Sequence, residues 1–167
     1  ETCERVGVKF LTTVYNIAEV PFLLSLRLAA IKIGSGEATN LDLVTCVKHA
    51  GFPRVLISDG LGRPCGVNHE LLRCIPRYPA PHGCVPSTFS SSTFDPYHYV
   101  GWSDHCCGLE SCEVAIVRGA TLIEKHVQLP QQARLPKVYE ATVEEFRELR
   151  RFADDDPTRF IGRWQYA

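Results

Sequence analysis

An α/β fold built on parallel strands is what this sequence predicts, and three observations predict it. Short apolar runs rich in Val, Ile and Leu alternate with segments of helical period, which implies parallel pairing through helical connections. Every run ends on polar residues: Thr12-Thr13, Ser35-Gly36-Glu37, Ser58-Asp59, Arg77-Tyr78, Ser103-Asp104-His105 and Glu124-Lys125-His126. A (β/α) barrel and an open parallel sheet both carry that pattern, because their ligands bind beyond the carboxyl ends of the strands. At 167 residues, 45% hydrophobic and 22% charged, the chain is also long and apolar enough to bury a core.

The elements follow in order. "GVKFLTT" reads as a strand, "NIAEVPFLLSLR" as a helix interrupted or started at Pro21, and "AAIKIGS" as a second strand. "NLDLVTCVKHAG" places Leu41, Val44 and Val47 on one helical face, with Asn40 as the cap and Gly51 as the stop. "RVLISDG" is a buried strand, "ELLRCI" and "YVGWSD" are two more, "LESCEVAIVRGA" is a helix ending at Gly119, and "TLIEKHV" is the sixth strand. "TVEEFRELRRFADD" is an amphipathic helix capped by Thr142. Acid at a helix C-terminus is unfavourable, so Asp154-Asp155-Asp156 predicts a stop near Phe152. Two connections are irregular: "LGRPCGVNH" is too short for a crossover helix, and "PAPHGCVPSTFSSSTFDPYH" reads as a loop. "RFIGRWQYA" reads as a packed tail, and with neither an internal repeat nor a boundary signal the expectation is a single domain over 1–167.

Composition excludes more than it assigns. The 18 basic and 19 acidic residues are interspersed, with a net charge of -1 and no basic stripe, so neither nucleic acid nor a membrane is expected as a partner. The longest apolar run, "VPFLLSLRLAAIKI", is broken by Arg27 and is too short to cross a bilayer, and no signal-peptide pattern opens the chain. A cytoplasmic protein is the expectation. Of the eight cysteines, Cys46, Cys74 and Cys112 lie inside apolar segments, which suits buried thiols better than a disulfide scaffold. The absence of methionine and a glutamate opening a helix-like stretch suggest a chain that begins inside a larger or processed protein.

The stretch "YVGWSDHCCGLE" concentrates the chemistry. Ser103, Asp104 and His105 are consecutive strand residues that alternate faces, so they cannot converge as a hydrolase relay. Cys106 and Cys107 lack the C-x₂₋₄-C spacing of a zinc site, and Cys112 falls on the following helix. His105 and His126, at the ends of neighbouring strands, are either a metal pair or two hydrogen-bonded core histidines. Lys32 is either an anion ligand or a lysine paired with Glu37 or Glu124, and the lone G-x-G of "IGSGE" is equally explained by close packing.

"FLTT", "IKIGSGEATN", "VLISDG", "RCIPRYPAP", "GWSDH" and "LIEKHVQL", in that order, resemble the barrel domain of the N-acetylneuraminate (sialic acid) synthase family. The resemblance runs from about Glu1 to Asp154, and 21 positions separate His105 from His126, as it requires. It implies a partial (β/α) TIM-type barrel, lacking the first two strands and one crossover helix. It also implies metal-assisted condensation of phosphoenolpyruvate with an N-acetylated amino-sugar aldehyde to a 2-keto-3-deoxy sugar acid. By the same resemblance His105 and His126 are ligands of a divalent metal, Mn²⁺ or Mg²⁺, and Thr13, Lys32, Ser35, Ser58 and Ser103 bind phosphoenolpyruvate. Tyr78 lines the sugar pocket and Glu124 is the acid of the last strand.

The sequence also departs from that family. Pro76 stands where members carry an asparagine or serine touching phosphoenolpyruvate, and the acidic residue that members carry near Leu135-Pro136-Lys137 has no equivalent. The C-terminal antifreeze-like domain has no counterpart. The rival reading is therefore a non-catalytic relative, a structural or interaction subunit. In either case the expected partners include a second copy or another chain that covers the open barrel edges.

Overall fold

A computed structural model describes residues 1–61, 70–81, 99–131 and 135–155. The chain divides into two compact units, Glu1–Leu71 and Leu72–Ala167. Residues 62–69, where the crossover helix was expected to be missing, lie outside the described residues, as do most of the Pro- and Ser-rich connection and the aromatic tail.

The first unit contains α1 (Thr2–Arg5), a 3₁₀ turn at Ile17–Glu19, α2 (Val20–Ser25), β1 (Ile31–Ile33), α3 (Leu41–His49) and β2 (Val55–Ser58). Pro21 sits in the first turn of α2, where its missing N–H would have had no partner in any case. Asn40 caps α3 by accepting from the Leu43 amide at 3.2 Å, and Gly51 takes the left-handed turn after the helix at φ +93°. β1 and β2 pair in parallel, with Ile31 opposite Val55, Lys32 opposite Leu56 and Ile33 opposite Ile57. The period of two then sorts the side chains. Ile31, Ile33 and Ile57 enter a core with Val14, Leu43, Val44 and Val47, which leaves Lys32, Leu56 and Ser58 to the other face.

"GVKFLTT" is not the full strand expected. Its pairing is a single parallel bridge between Thr13 and Lys32, with Val14 N–H donating to Lys32 O and Lys32 N–H to Thr12 O, both at 3.0 Å. Val8, Phe10 and Leu11 are exposed, whereas Val14 is fully buried. Pairing forms where a side chain enters the core and not along the apolar run that precedes it.

At the end of this unit Arg54 grips Glu70 through both arms, its Nε donating at 2.7 Å. The Arg54 hydrogen bond holds the Glu70 carboxyl below the usual range. The lowered pKa means that the contribution exists above the ordinary carboxylate value, about 4.3, and is lost as pH falls through the folded-state value. Arg54 is half exposed, so Arg54→Gln is expected to cost about 1 kcal/mol or less at pH 7. Urea unfolding should show the deficit shrinking as pH falls below about 4.

β3 (Glu70–Cys74) runs across the division. The second unit continues with β4 (Gly101–Asp104), α4 (Glu110–Val117), β5 (Leu122–Lys125) and α5 (Val143–Asp154). Both of its strand pairings are parallel: Leu72, Arg73 and Cys74 face Gly101, Trp102 and Ser103, and β4 faces β5 from Gly101↔Leu122 to Asp104↔Lys125. Trp102, Cys106, Cys112, Ala115 and Leu149 form its core, with Ile123 packed against them. The six described cysteines form no disulfide with one another; Cys74 and Cys112 are buried as their apolar setting predicts, Cys106 is buried as well, and Cys46, expected among the buried thiols, is only half-buried.

Thr142 opens α5 with a reciprocal capping box to Glu145. The helix runs to Asp154 and not merely to Phe152. Arg150, one turn earlier, donates to the Asp154 carboxylate at 2.8 Å, which offsets the unfavourable dipole contact. Among the described residues no helix is long and apolar enough to cross a membrane.

Candidate functional site

The register of β4 on β5 builds the site in the second unit. Ser103 lies opposite Glu124 and Asp104 opposite Lys125, and the next position on each chain, just past the strand ends, is a histidine. Alternation puts Ser103 and Glu124 on one face, where the Ser103 hydroxyl donates to Glu124 Oε1 at 3.0 Å. His105 and His126 follow on that face, their ring centroids 5.4 Å apart. The constant offset of 21 positions is this register read along the chain.

His105 is buried and its Nδ1 lies 2.8 Å from the Ile75 carbonyl. A carbonyl can only accept, so Nδ1 carries the proton and Nε2 keeps its lone pair. Burial holds this imidazole below the usual histidine range; neighbouring His126 pushes the same way, and the Ile75 bond, Asp104 and Glu124 oppose it. A neutral ring with a fixed tautomer is the form that ligates a metal. Two imidazoles just past the ends of neighbouring strands are a donor set whose chemistry suits a borderline divalent ion. Among the described residues no group of three or more His, Cys, Asp or Glu side chains is arranged to hold a metal ion.

Aromatic rings enclose the pair. Tyr78 lies over His105 with centroids 3.9 Å apart and meets His126 at 5.6 Å. Tyr139, which sequence reasoning did not single out, meets His126 at 5.2 Å and Tyr78 at 5.3 Å. It is held there by a parallel bridge between Val127 and Ala141, in which Ala141 N–H donates to His126 O at 2.8 Å. Nothing in the local sequence marks that isolated bridge.

The alternative chemistries of "SDHCC" find no geometry. The Ser103 hydroxyl goes to Glu124, whereas Asp104 faces Lys125, Trp102 and Ser111, so no relay joins Ser103, Asp104 and His105. Burial pushes the Cys112 thiol well up, which makes it inert and not a ready ligand.

The first unit carries the other expected residues. Thr13 faces Lys32 across the bridge, and Lys32 is buried at 5% exposure. Ser35 lies half-buried in the turn after β1. Ser58 is 1% exposed, and its Oγ has no hydrogen-bond partner among the described residues. Alternation along the strands puts Lys32 and Ser58 on the face opposite the core of this unit.

In each unit parallel strands carry polar residues at or just past their carboxyl ends, the place where (β/α) barrels and open parallel sheets bind their ligands. The chain belongs to the NeuB family, whose model matches residues 1–69 and 66–155. An uncharacterized protein of Methanocaldococcus jannaschii is 30% identical over 89% of this chain and 48% of its own length. The N,N'-diacetyllegionaminic acid synthase of Campylobacter jejuni is 29% identical over 80% of this chain and 44% of its own. The chain thus spans about half the length of these relatives or less. The crystal structure of an N-acetylneuraminic acid (sialic acid) synthetase from Leptospira borgpetersenii superimposes with a TM-score of 0.75 at 20% identity, covering 90% of this chain and 57% of that one. The fold is therefore that of part of a sialic acid synthase-type barrel.

Proposed function

We propose that this chain carries the catalytic face of a synthase that condenses phosphoenolpyruvate with an N-acetylated amino-sugar aldehyde, in the cytoplasm and together with a second copy or partner chain. The observation that carries the reading is the in-register pair His105 and His126, with His105 neutral and its Nδ1 proton committed to Ile75. A divalent ion on these two imidazoles, Mn²⁺ better than Mg²⁺ given nitrogen ligands, would supply Lewis acidity toward the aldehyde oxygen. Lys32, with Thr13, Ser35, Ser58 and Ser103, binds the phosphate and carboxylate of phosphoenolpyruvate. The Ser58 hydroxyl, buried and without a hydrogen-bond partner among the described residues, supports that role. Tyr78 lines the sugar pocket, and Glu124, hydrogen-bonded to Ser103, holds or moves a proton.

Titration with Mn²⁺, followed by the paramagnetic resonance of the free ion, tests the site. Binding by the unaltered chain is expected, with loss of 100-fold or more in His105→Ala and His126→Ala; identical isotherms for all three proteins would remove it. Phosphate release from phosphoenolpyruvate that depends on an N-acetylated amino sugar tests the reaction. Pro76, which offers no side-chain donor, supports the second reading of a non-catalytic subunit. That reading predicts metal binding without phosphate release.

A further inference from the structure

The two histidines stand one residue beyond the last paired positions of β4 and β5, so no backbone ladder between these strands fixes their spacing. What lies beneath them is an ion pair. Lys125 Nζ and Asp104 Oδ2 are 2.5 Å apart, with side chains 1% and 0% exposed. Asp104 Oδ1 accepts from Trp102 Nε1 at 2.9 Å, from Ser111 Oγ at 2.6 Å and from the Cys106 amide at 3.2 Å. Lys125 Nζ also donates to the Cys106 carbonyl at 2.9 Å. Each partner is therefore the residue immediately before one of the histidines, and the Lys125 ammonium grips the chain on both sides of His105.

A buried ion pair adds little net stability over an apolar pair of the same volume, so stability alone does not explain a satisfied network at this position. Geometry does. The pair ties β5 to the turn that carries His105 at the point where main-chain pairing stops. His105 is further tied by its ring to Ile75, and its carbonyl accepts from Ala80 N–H at 2.8 Å.

We infer that Asp104 and Lys125 form a clamp, on the face opposite the candidate site, that sets the separation of His105 and His126 and so the affinity of the pair for a divalent ion. The inference deepens the proposed function and rests on its assignment of the histidines. Asp104 and Lys125 are positioning residues: both point away from the face that would meet substrate.

The test uses the full chain, with Mn²⁺ as the probe. Asp104→Asn is the milder variant, since its Oδ1 can still accept from Trp102, Ser111 and Cys106; Lys125→Met is the harsher. Each is expected to weaken Mn²⁺ by about 10–100-fold, the usual effect of removing a group that orients a metal ligand. The double variant should be no weaker than the worse single, because both break one contact. Leu149→Ala, a cavity in the same unit's core on α5, controls for general loosening and should leave Mn²⁺ affinity within about twofold while lowering stability. A second readout needs no metal. The imidazole ¹H–¹⁵N resonances of both histidines should move in Asp104→Asn and Lys125→Met and stay put in Leu149→Ala.

Unchanged affinity and unchanged ring resonances in the two clamp variants would overturn the inference, as would equal effects of Leu149→Ala. If the unaltered chain binds no Mn²⁺ yet the ring resonances respond to the clamp variants alone, the metal assignment fails and the clamp stands.

Discussion

Gly101→Ala is expected to lower the stability of the second unit by about 3 kcal/mol or more, on the order of 10 °C in Tm for a chain of this size. A Cβ at position 101 would lie 2.0 Å from the Leu122 carbonyl oxygen, 2.8 Å from its carbonyl carbon and 2.9 Å from its Cβ. Most of that obstacle is backbone of β5, so no rotamer change relieves it. The strands must part at the first step of the register that carries Ser103 to Glu124 and then the histidines to each other. Urea and thermal unfolding measure the loss, and Mn²⁺ affinity should fall with it. Gly36→Ala is the control: a Cβ there meets nothing within 4 Å, and an effect within about 0.5 kcal/mol is expected. Equal stability of the two variants would refute the close approach of β4 to β5.

Trp102→Ala should cost about 3–5 kcal/mol, the range for removing a large fully buried aromatic side chain. Trp102 is 0% exposed and packs in the core of the second unit with Cys112, Ala115 and Leu149. Its indole also donates at 2.9 Å to Asp104 Oδ1, so the substitution removes one of the donors that satisfy a buried carboxylate. Trp102→Phe separates the two contributions. It keeps most of the apolar volume and loses the donor, and about 1–2 kcal/mol is expected. Urea midpoints for both variants, at equal slopes, check the ordering. A Phe variant as unstable as the Ala variant would assign the whole effect to the hydrogen bond.

Much of the architecture was legible because local chemistry and burial agree. Asn40 and Thr142 cap the helices that their side chains predict, Pro21 opens α2, and the strand at Gly101–Asp104 ends within the polar triplet, just before His105. The reading failed where tertiary contact overrides local pattern. "GVKFLTT" is apolar enough for a strand, but only Val14 reaches the core, so one bridge forms. Asp154 extends α5 because Arg150 compensates it, a pairing visible in the sequence at i, i+4 and outweighed in the reading by the dipole rule. Tyr139 was missed because an isolated bridge between Val127 and Ala141 brings it beside His126.

From β1 onward the sequence by itself determined the order of strands and helices, the caps and the polar residues at or just past the strand ends. Periodicity, Gly and Pro placement and side-chain chemistry are local properties, and they suffice for that. It also determined that Ser103, Asp104 and His105 could not form a relay, since consecutive strand residues alternate faces. Only the tertiary structure decided the register of β4 on β5, and with it which side chains meet across the strands. That register sends Ser103 to Glu124, buries Asp104 against Lys125 and leaves His105 facing His126. A shift of one residue would have exchanged the two faces, which no count of residues along the chain can exclude.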